Sequence, residues 1–198
     1  MESLILVRHG ESAFSVRGAV NGDPVGDCPL TETGREQASR LARGLADEPI
    51  DVCITSAFPR TQETADILLA DRDVPRVVVE ELNDPRAGVF EGEAFERYKE
   101  WARGHGPLDE PPGGGESRAA IVGRYARGLR QVLERPERSV LVVIHSLPIA
   151  YVRSAVEGRD PAAAMDLVPY CEAYRVSERE LATAVDRLER WARRPVFV

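Results

Sequence analysis

The sequence predicts a three-layer α/β/α sandwich built on a mostly parallel central sheet. Three observations carry that expectation. Short runs of apolar, largely β-branched residues recur, of the kind that fills strands buried on both faces of a helix-covered sheet. Amphipathic segments at helical spacing separate these runs. Strands and helices keep alternating along the chain, as a layered α/β domain requires. At 198 residues there is room for one such domain, residues 1–198, with a full core of its own.

Taken in order, Leu4-Ile5-Leu6-Val7 is the first expected strand, and it runs into Arg8-His9-Gly10. Thr31 to Ala46 reads as a helix with Ala38, Leu41, Ala42 and Leu45 on one face. Ile50 to Ile54 is a second strand. Pro59 to Ala70 is a helix opened by a proline, whose missing N–H costs nothing in a first turn. Val74 to Val79 is expected as a further buried strand. The run Phe95 to Arg103, which contains Lys99, reads as a solvated helix face. Gly104 to Gly115 has the composition of a flexible surface loop inside the domain. Glu116 to Leu133 carries Ile121, Val122, Tyr125, Leu129 and Val132 on one helical stripe. Val140 to Ile144 is a strand that runs into His145, and Leu147 to Val156 is the helix after it. Ala173 to Val176 is expected as a last edge strand. A closing helix, Glu178 to Trp191, follows the capping-box pattern Ser177-Glu178-Arg179-Glu180.

Composition narrows the function classes. No apolar run approaches the ~20 residues of a membrane-spanning helix. The N-terminus, with Glu2 and a short apolar run, lacks the pattern of a secretory signal. Cys28, Cys53 and Cys171 are far apart with no C-x-x-C, so neither a disulfide framework nor a zinc site is expected, and a reducing cytoplasm is. The net charge of −7 argues against a nucleic-acid or anionic-membrane binder. An anionic ligand must therefore meet a local positive pocket. Lys99 is the only lysine, so lysine-dependent phosphate or Schiff-base chemistry is excluded unless Lys99 supplies it.

Two of the three histidines, His9 and His145, fall just past the carboxyl ends of expected strands, where α/β sheets hold their ligands. One such histidine alone reads as a satisfied turn residue. Two, with Arg8 directly before one of them, read as a site. A metal centre would want H-x-H or H-E-x-x-H spacing, which is absent, and His105 lies in the Gly/Pro loop. A Ser-His-Asp hydrolase would want G-x-S-x-G, also absent. What remains is a histidine nucleophile or acid/base in an arginine-lined pocket. That composition suits phosphoryl transfer, because guanidinium clamps phosphate bidentately and neutral imidazole can attack phosphorus.

The segment Leu4 to Ser12 (LILVRHGES) resembles the signature of the histidine phosphatase, or phosphoglycerate mutase-like, superfamily. Asp27 to Ala38 is similar to its D-x-P-L-T-x-x-G-x-x-Q-A, and Thr55 to Ala65 to its S-x-x-x-R-T-x-x-T-A. Leu82 to Gly92 resembles L-x-E-x-x-x-G-x-x-E-G, and Gly115-Glu116-Ser117 with Arg124 matches a G-E-S block followed by an arginine. The resemblance covers about residues 4–150 and implies a phosphoglycerate mutase-like fold. It implies His9 as the nucleophile that becomes phosphohistidine, Arg8 and Arg60 as grips on the phosphoryl oxygens, and His145 as a further donor. Asp84 occupies the position of the proton donor, usually Glu in mutase-like members, with Glu81 and Glu80 as fallbacks. Ser15 stands where the family often has Asn, Asn21-Gly22 where it has Gln-Gly, and Ser146 follows the second histidine in place of Gly. Ser15, Asn21 and Ser146 are expected to contact substrate.

These implications lead to a metal-independent phosphomonoester hydrolase without a cofactor, acting on a small phosphorylated metabolite. The alternatives are a phosphoglycerate mutase-type transferase and a phospholigand-binding member without turnover. A mutase would want a longer insertion to keep water from the phosphoenzyme, for which only Ala94 to Gly115 is available. A homodimer stays open.

Overall fold

A computed structural model describes residues 1–26, 28–70 and 72–197. Asp27, the first residue of one motif block, lies outside them. The strands are β1 (Ser3–Arg8), β2 (Val52–Thr55), β3 (Arg76–Val78), β4 (Ser139–Ile144) and β5 (Ala173–Arg175). They form one sheet in the order β3-β2-β4-β1-β5, parallel throughout except for β5, which runs antiparallel to β1. The helices are α1 (Ala13–Arg17), α2 (Glu32–Gly44), α3 (Pro59–Leu68), α4 (Phe95–Arg103), α5 (Arg118–Leu133), α6 (Ser146–Val156) and α7 (Glu178–Arg193).

Because side chains alternate along a strand, the two faces of the sheet build two cores. Leu4, Leu6, Val52, Ile54, Val140, Val142 and Ile144 pack against α5, α6 and α7. Ile5, Val7, Cys53, Leu141 and Val143 pack against α2 and α3. This is the expected sandwich, and it explains why β1 and β4 read as unbroken apolar runs. The closing helix has its capping box, with Ser177 and Glu180 each satisfying the other's backbone N–H. Among the described residues no helix is long and apolar enough to cross a membrane.

Three expectations need correction. The strand placed at Val74 to Val79 shortens to β3, an edge strand with Arg76 and Val78 exposed, so it is not covered on both faces. Asp51 does not belong to β2; its carboxylate accepts the N–H of Ser139 (2.8 Å) and tethers the start of β4. The Phe95 to Arg103 run is a helix, α4, with a solvated face at Glu96, Arg97, Glu100 and Arg103, but its other face is not solvated. Ala102 is buried, and Phe95, Tyr98 and Lys99 help line a pocket.

The topology places the site. From β1 the chain crosses past β4 to β2, and from β4 it crosses past β1 to β5. The connections therefore diverge between β1 and β4, which makes their carboxyl ends the switch point where such sheets bind ligands. In register Arg8 lies opposite Ile144, and the His9 N–H donates to the Ile144 carbonyl (2.9 Å). His9 and His145 are thereby held side by side.

Glycine packing locks the loop that follows β1. A Cβ on Gly10 would sit 2.6 Å from the Gly34 carbonyl oxygen, and one on Gly34 would sit 2.1 Å from that of Glu11. The Gly34→Ala variant must push this loop away from α2. Overpacking of this kind costs about 1–3 kcal/mol, so a urea melt should show a lower midpoint with an unchanged slope. An unchanged midpoint would contradict the close contact.

Candidate active site

His9 and His145 each follow a buried strand directly, and Arg60 enters from the first turn of α3, which opens at Pro59. The residues quoted in the motif blocks hold these elements together. Thr64 accepts the Gly10 N–H (3.0 Å) while donating to the Arg60 carbonyl (2.7 Å). Gln37 accepts the Glu11 N–H (2.9 Å), and Glu63 accepts that of Leu30 (2.8 Å). Arg124 chelates both Glu116 oxygens at 2.8 Å. Its remaining nitrogen donates to the carbonyls of Glu81 and Asn83 at 2.8 Å each, strapping down the turn that presents Asp84. A Cβ on Gly22 would meet the Pro85 carbonyl oxygen at 2.0 Å, so Asn21 can approach that turn only with glycine beside it.

At the centre, His9 Nδ1 lies 2.7 Å from the carbonyl oxygen of Gly10. A carbonyl only accepts, so Nδ1 carries the proton and Nε2 keeps its lone pair. Arg60 Nε donates to that Nε2 at 3.2 Å. Burial, then the nearby charges of Arg60, His145 and Arg8, holds His9 well below the ordinary imidazole range. The ring is a neutral imidazole whose unprotonated nitrogen faces cations.

Arg60 is the hub. Besides His9 it reaches the Asn21 side chain through Nη1, and the Asn21 carbonyl (3.2 Å) and Asp84 Oδ2 (2.6 Å) through Nη2. Arg8 stacks on the Tyr170 ring, 3.7 Å from its centroid, and donates to the Val168 carbonyl at 2.6 Å. Arg8 Nε is buried with no partner among the described residues. A ligand oxygen would relieve that cost.

His145 Nδ1 lies 3.0 Å from Asp84 Oδ2, and Ser56 Oγ lies 2.8 Å from Nε2. The carboxylate needs a donor, so the proton is assigned to Nδ1, and the Ser56 hydroxyl donates to Nε2. Burial lowers His145, partly offset by the charge of Asp84. For Asp84, a quarter exposed, burial raises the carboxyl. The charge and hydrogen bond of His145, with the Arg60 charge, outweigh it and hold Asp84 well below the usual carboxylate range. Asp84 is therefore held as a carboxylate, mainly by His145 and then by Arg60.

His9, Asp84 and His145 also offer ligand atoms that all lie within 4.8 Å of one another, a set a divalent cation could use. Arg60 touches all three, with Nη2 also 3.4 Å from His145 Nδ1.

A pocket of about 400 Å³ is lined by Arg8, His9 and Arg60, while His145 is buried and not part of its lining. Ser15, Asn21, Asp84 and Ser146 all reach its wall. Ser15 Oγ is 2.9 Å from Ser12 Oγ, and Ser146 Oγ accepts the Val168 N–H at 2.7 Å. Ser146 is therefore engaged in holding the 168 loop, leaving its backbone N–H for a ligand. Glu80 and Glu81, the fallback acids, line a separate cleft of about 1270 Å³ and not this pocket, whereas Asp84 borders both. Sequence reasoning missed Ser56 and Tyr170 as supports of His145 and Arg8. Ser56 lay inside a motif block and could have been found there. Tyr170 lies beyond the last block, with no local signal.

A model of the histidine phosphatase superfamily (branch 1) matches residues 4–191. Phosphoserine phosphatase 1 of Hydrogenobacter thermophilus is 32% identical over 169 residues, 81% of this chain and 78% of its own. A 2,3-bisphosphoglycerate-dependent phosphoglycerate mutase of a Methylobacterium species is 32% identical over 174 residues, 78% of this chain and 80% of its own. The crystal structure of the α-ribazole phosphatase from Shigella flexneri superposes with a TM-score of 0.77 at 27% identity, covering 88% of this chain and 90% of that one. With two strand-end histidines and two buried arginines already in place, these matches settle the lineage: the chain belongs to the histidine phosphatase superfamily (branch 1), as a phosphatase-type enzyme whose chemistry is phosphoryl hydrolysis or transfer.

Proposed function

We propose that the protein is a metal-independent phosphomonoester hydrolase that works through phosphohistidine at His9. The observation that carries this reading is the state of His9, a neutral ring with Nδ1 tied to Gly10 and an unprotonated Nε2 that accepts from Arg60, a bond the entering phosphoryl group must draw away.

The phosphoryl group of a small phosphorylated metabolite enters with its oxygens against Arg8 and Arg60. His145 Nδ1–H turns from Asp84 to a phosphoryl oxygen. These preorganised charges stabilise the trigonal-bipyramidal transition state and supply what a metal would otherwise supply. The Nε2 lone pair forms the N–P bond as the P–O bond to the alcohol breaks, and Asp84 hands its proton to the departing oxygen. Water then attacks phosphorus, Asp84 takes the water proton, and the N–P electrons return to Nε2. Ser15, Asn21 and the Ser146 N–H complete the grip. Hydrolysis is favoured over mutase-type transfer because Ala94 to Gly115 adds one wall helix, α4, and a short loop, little with which to exclude water.

Asp84 is ionised before substrate arrives, so its proton must be captured on binding. Drawing Arg60 and His145 onto a dianionic phosphate removes the partners that hold the carboxyl down and adds a like charge beside it.

Rapid quench with labelled substrate, in the presence of a chelator, should yield protein label that is acid-labile and base-stable, followed by free phosphate. His9→Ala should yield none. Undiminished turnover by that variant, or a rate abolished by the chelator, would contradict the mechanism.

The proton donor has its own test. On an alkyl phosphate, Asp84→Asn should lower kcat by on the order of ~10²-fold or more, and on p-nitrophenyl phosphate by far less. Equal losses would make Asp84 structural.

The pH profile follows from the same states. His9 stays neutral below its ordinary range, so kcat/KM should hold at pH values where a free imidazole, with a pKa of about 6.5, is mostly protonated. It should fall as pH rises past neutrality, where proton capture by Asp84 weakens. An acid limb centred near or above ~6.5 would contradict the lowered His9.

A further inference from the structure

Turnover sets a mechanical problem for Asp84. Its carboxylate is held through Oδ2 by Arg60 Nη2 (2.6 Å) and His145 Nδ1 (3.0 Å), the two groups that a phosphate draws away. Among the described residues its side chain has no other hydrogen-bond partner. Once Arg60 and His145 turn to the phosphoryl oxygens, whatever keeps the acid beside the departing oxygen must act on the backbone around it.

Such a hold is present, and it converges on one ion pair. Arg124, in the second turn of α5, donates through Nη1 to the carbonyls of Glu81 and Asn83, and through Nε and Nη2 to the two Glu116 oxygens. All four bonds are 2.8 Å long. Glu116 grips the other side of Asp84. Its carboxylate accepts the Arg86 N–H (3.0 Å), and its own N–H donates to the Arg86 carbonyl (2.9 Å). Two further contacts fix where the turn sits. The Asn83 side chain accepts the Ala57 N–H (2.8 Å). Gly128 lets Glu81 and Leu82 lie directly on α5, since a Cβ there would meet side-chain atoms of both at 2.9 Å. None of these contacts uses Arg60 or His145, so phosphate binding leaves them intact.

The pair has the chemistry for that task. A guanidinium is a rigid planar fork whose nitrogens serve separate acceptors at fixed angles, which the point charge of a lysine cannot reproduce. Glu116, itself buried, neutralises it. Neutrality matters to the acid, because an uncompensated cation nearby would help keep Asp84 ionised. Arg124 and Glu116 line the large cleft and neither lines the pocket that contains His9, so they act through Asp84 and not on substrate. We infer that Arg124, held by Glu116, is the positioning residue for the proton donor, keeping Asp84 at the leaving oxygen after Arg60 and His145 have turned to the phosphate. This rests on the hydrolase reading above, with Asp84 as its acid.

Arg124→Lys, which keeps the charge and loses the fork, tests it on the alkyl phosphate that the wild type turns over fastest and on p-nitrophenyl phosphate. A misplacement of ~1 Å can cost ~10²-fold, so kcat on the alkyl ester should fall by about 10- to 100-fold. On p-nitrophenyl phosphate, whose leaving group needs little protonation, the loss should be far smaller, and KM should change little on either. In an Asp84→Asn background the same substitution should cost little more on the alkyl ester, because the group it positions is gone. Glu116→Gln should give the same pattern, and it carries the test if Arg124→Lys does not fold. A merely structural pair predicts equal losses on both esters that add to the loss from Asp84→Asn. That result, or no loss on either ester, overturns the inference and leaves the hydrolase reading standing. Equal losses by Asp84→Asn alone, or a wild type that hydrolyses no alkyl phosphate, would instead strike the reading beneath it, and the inference would fall with that reading.

Discussion

The hydrogen bond from His9 Nδ1–H to the Gly10 carbonyl is the contact on which the rest of the site depends. It fixes the tautomer, so the nitrogen that faces the pocket is the one with a lone pair. Around that nitrogen the fold places Arg60 within hydrogen-bond distance and Arg8 and His145 nearby, an arrangement that a protonated His9 would make repulsive. A neutral His9 and cationic surroundings are therefore one condition. The parallel pairing of β1 and β4, the Gly10–Gly34 contact and the Thr64 bond to the Gly10 N–H all act to keep it.

Such a concentration of buried charge is costly. Arg60 is buried and finds partial compensation from Asp84 and Asn21, and Arg8 finds it from Tyr170 and Val168. In the proposed mechanism Asp84 has two functions in sequence. It first compensates the Arg60 charge and accepts the His145 Nδ1–H, and a phosphate, the better anion, then displaces it from both. That exchange turns a strongly ionised carboxylate into one able to take a proton, and links phosphate binding to the readiness of the acid. Truncating a partner of a buried charge leaves the other unpaired, so substitutions at Asp84 act on stability as well as on chemistry.

Much of this was legible in the chain, for physical reasons. β1 and β4 are central strands covered on both faces, so every residue must be apolar, and the pattern survives without context. Arg8, His9, Arg60 and His145 sit at element ends whose position follows from those patterns. The edge strand β3 was overread because Val77, Val78 and Val79 look the same whether or not a helix covers them. α4 was misread because its polar residues are apparent while the pocket it walls comes from distant loops. The Ser56–His145 and Arg8–Tyr170 contacts join residues far apart in the chain, and no local pattern encodes them. The charge state of Asp84 was illegible for the same reason. It depends on two side chains brought within 3.0 Å from other elements.

The proposed chemistry depends on the protonation of one ring. Nitrogen-15 NMR of the ligand-free protein with labelled histidine, assigned by a His9→Gln variant, reads tautomer and titration together. The predicted result is a neutral His9 with the proton on Nδ1, which persists well below pH ~6.5, the ordinary imidazole midpoint. A His9 that titrates at or above that value, or that carries its proton on Nε2, would contradict it.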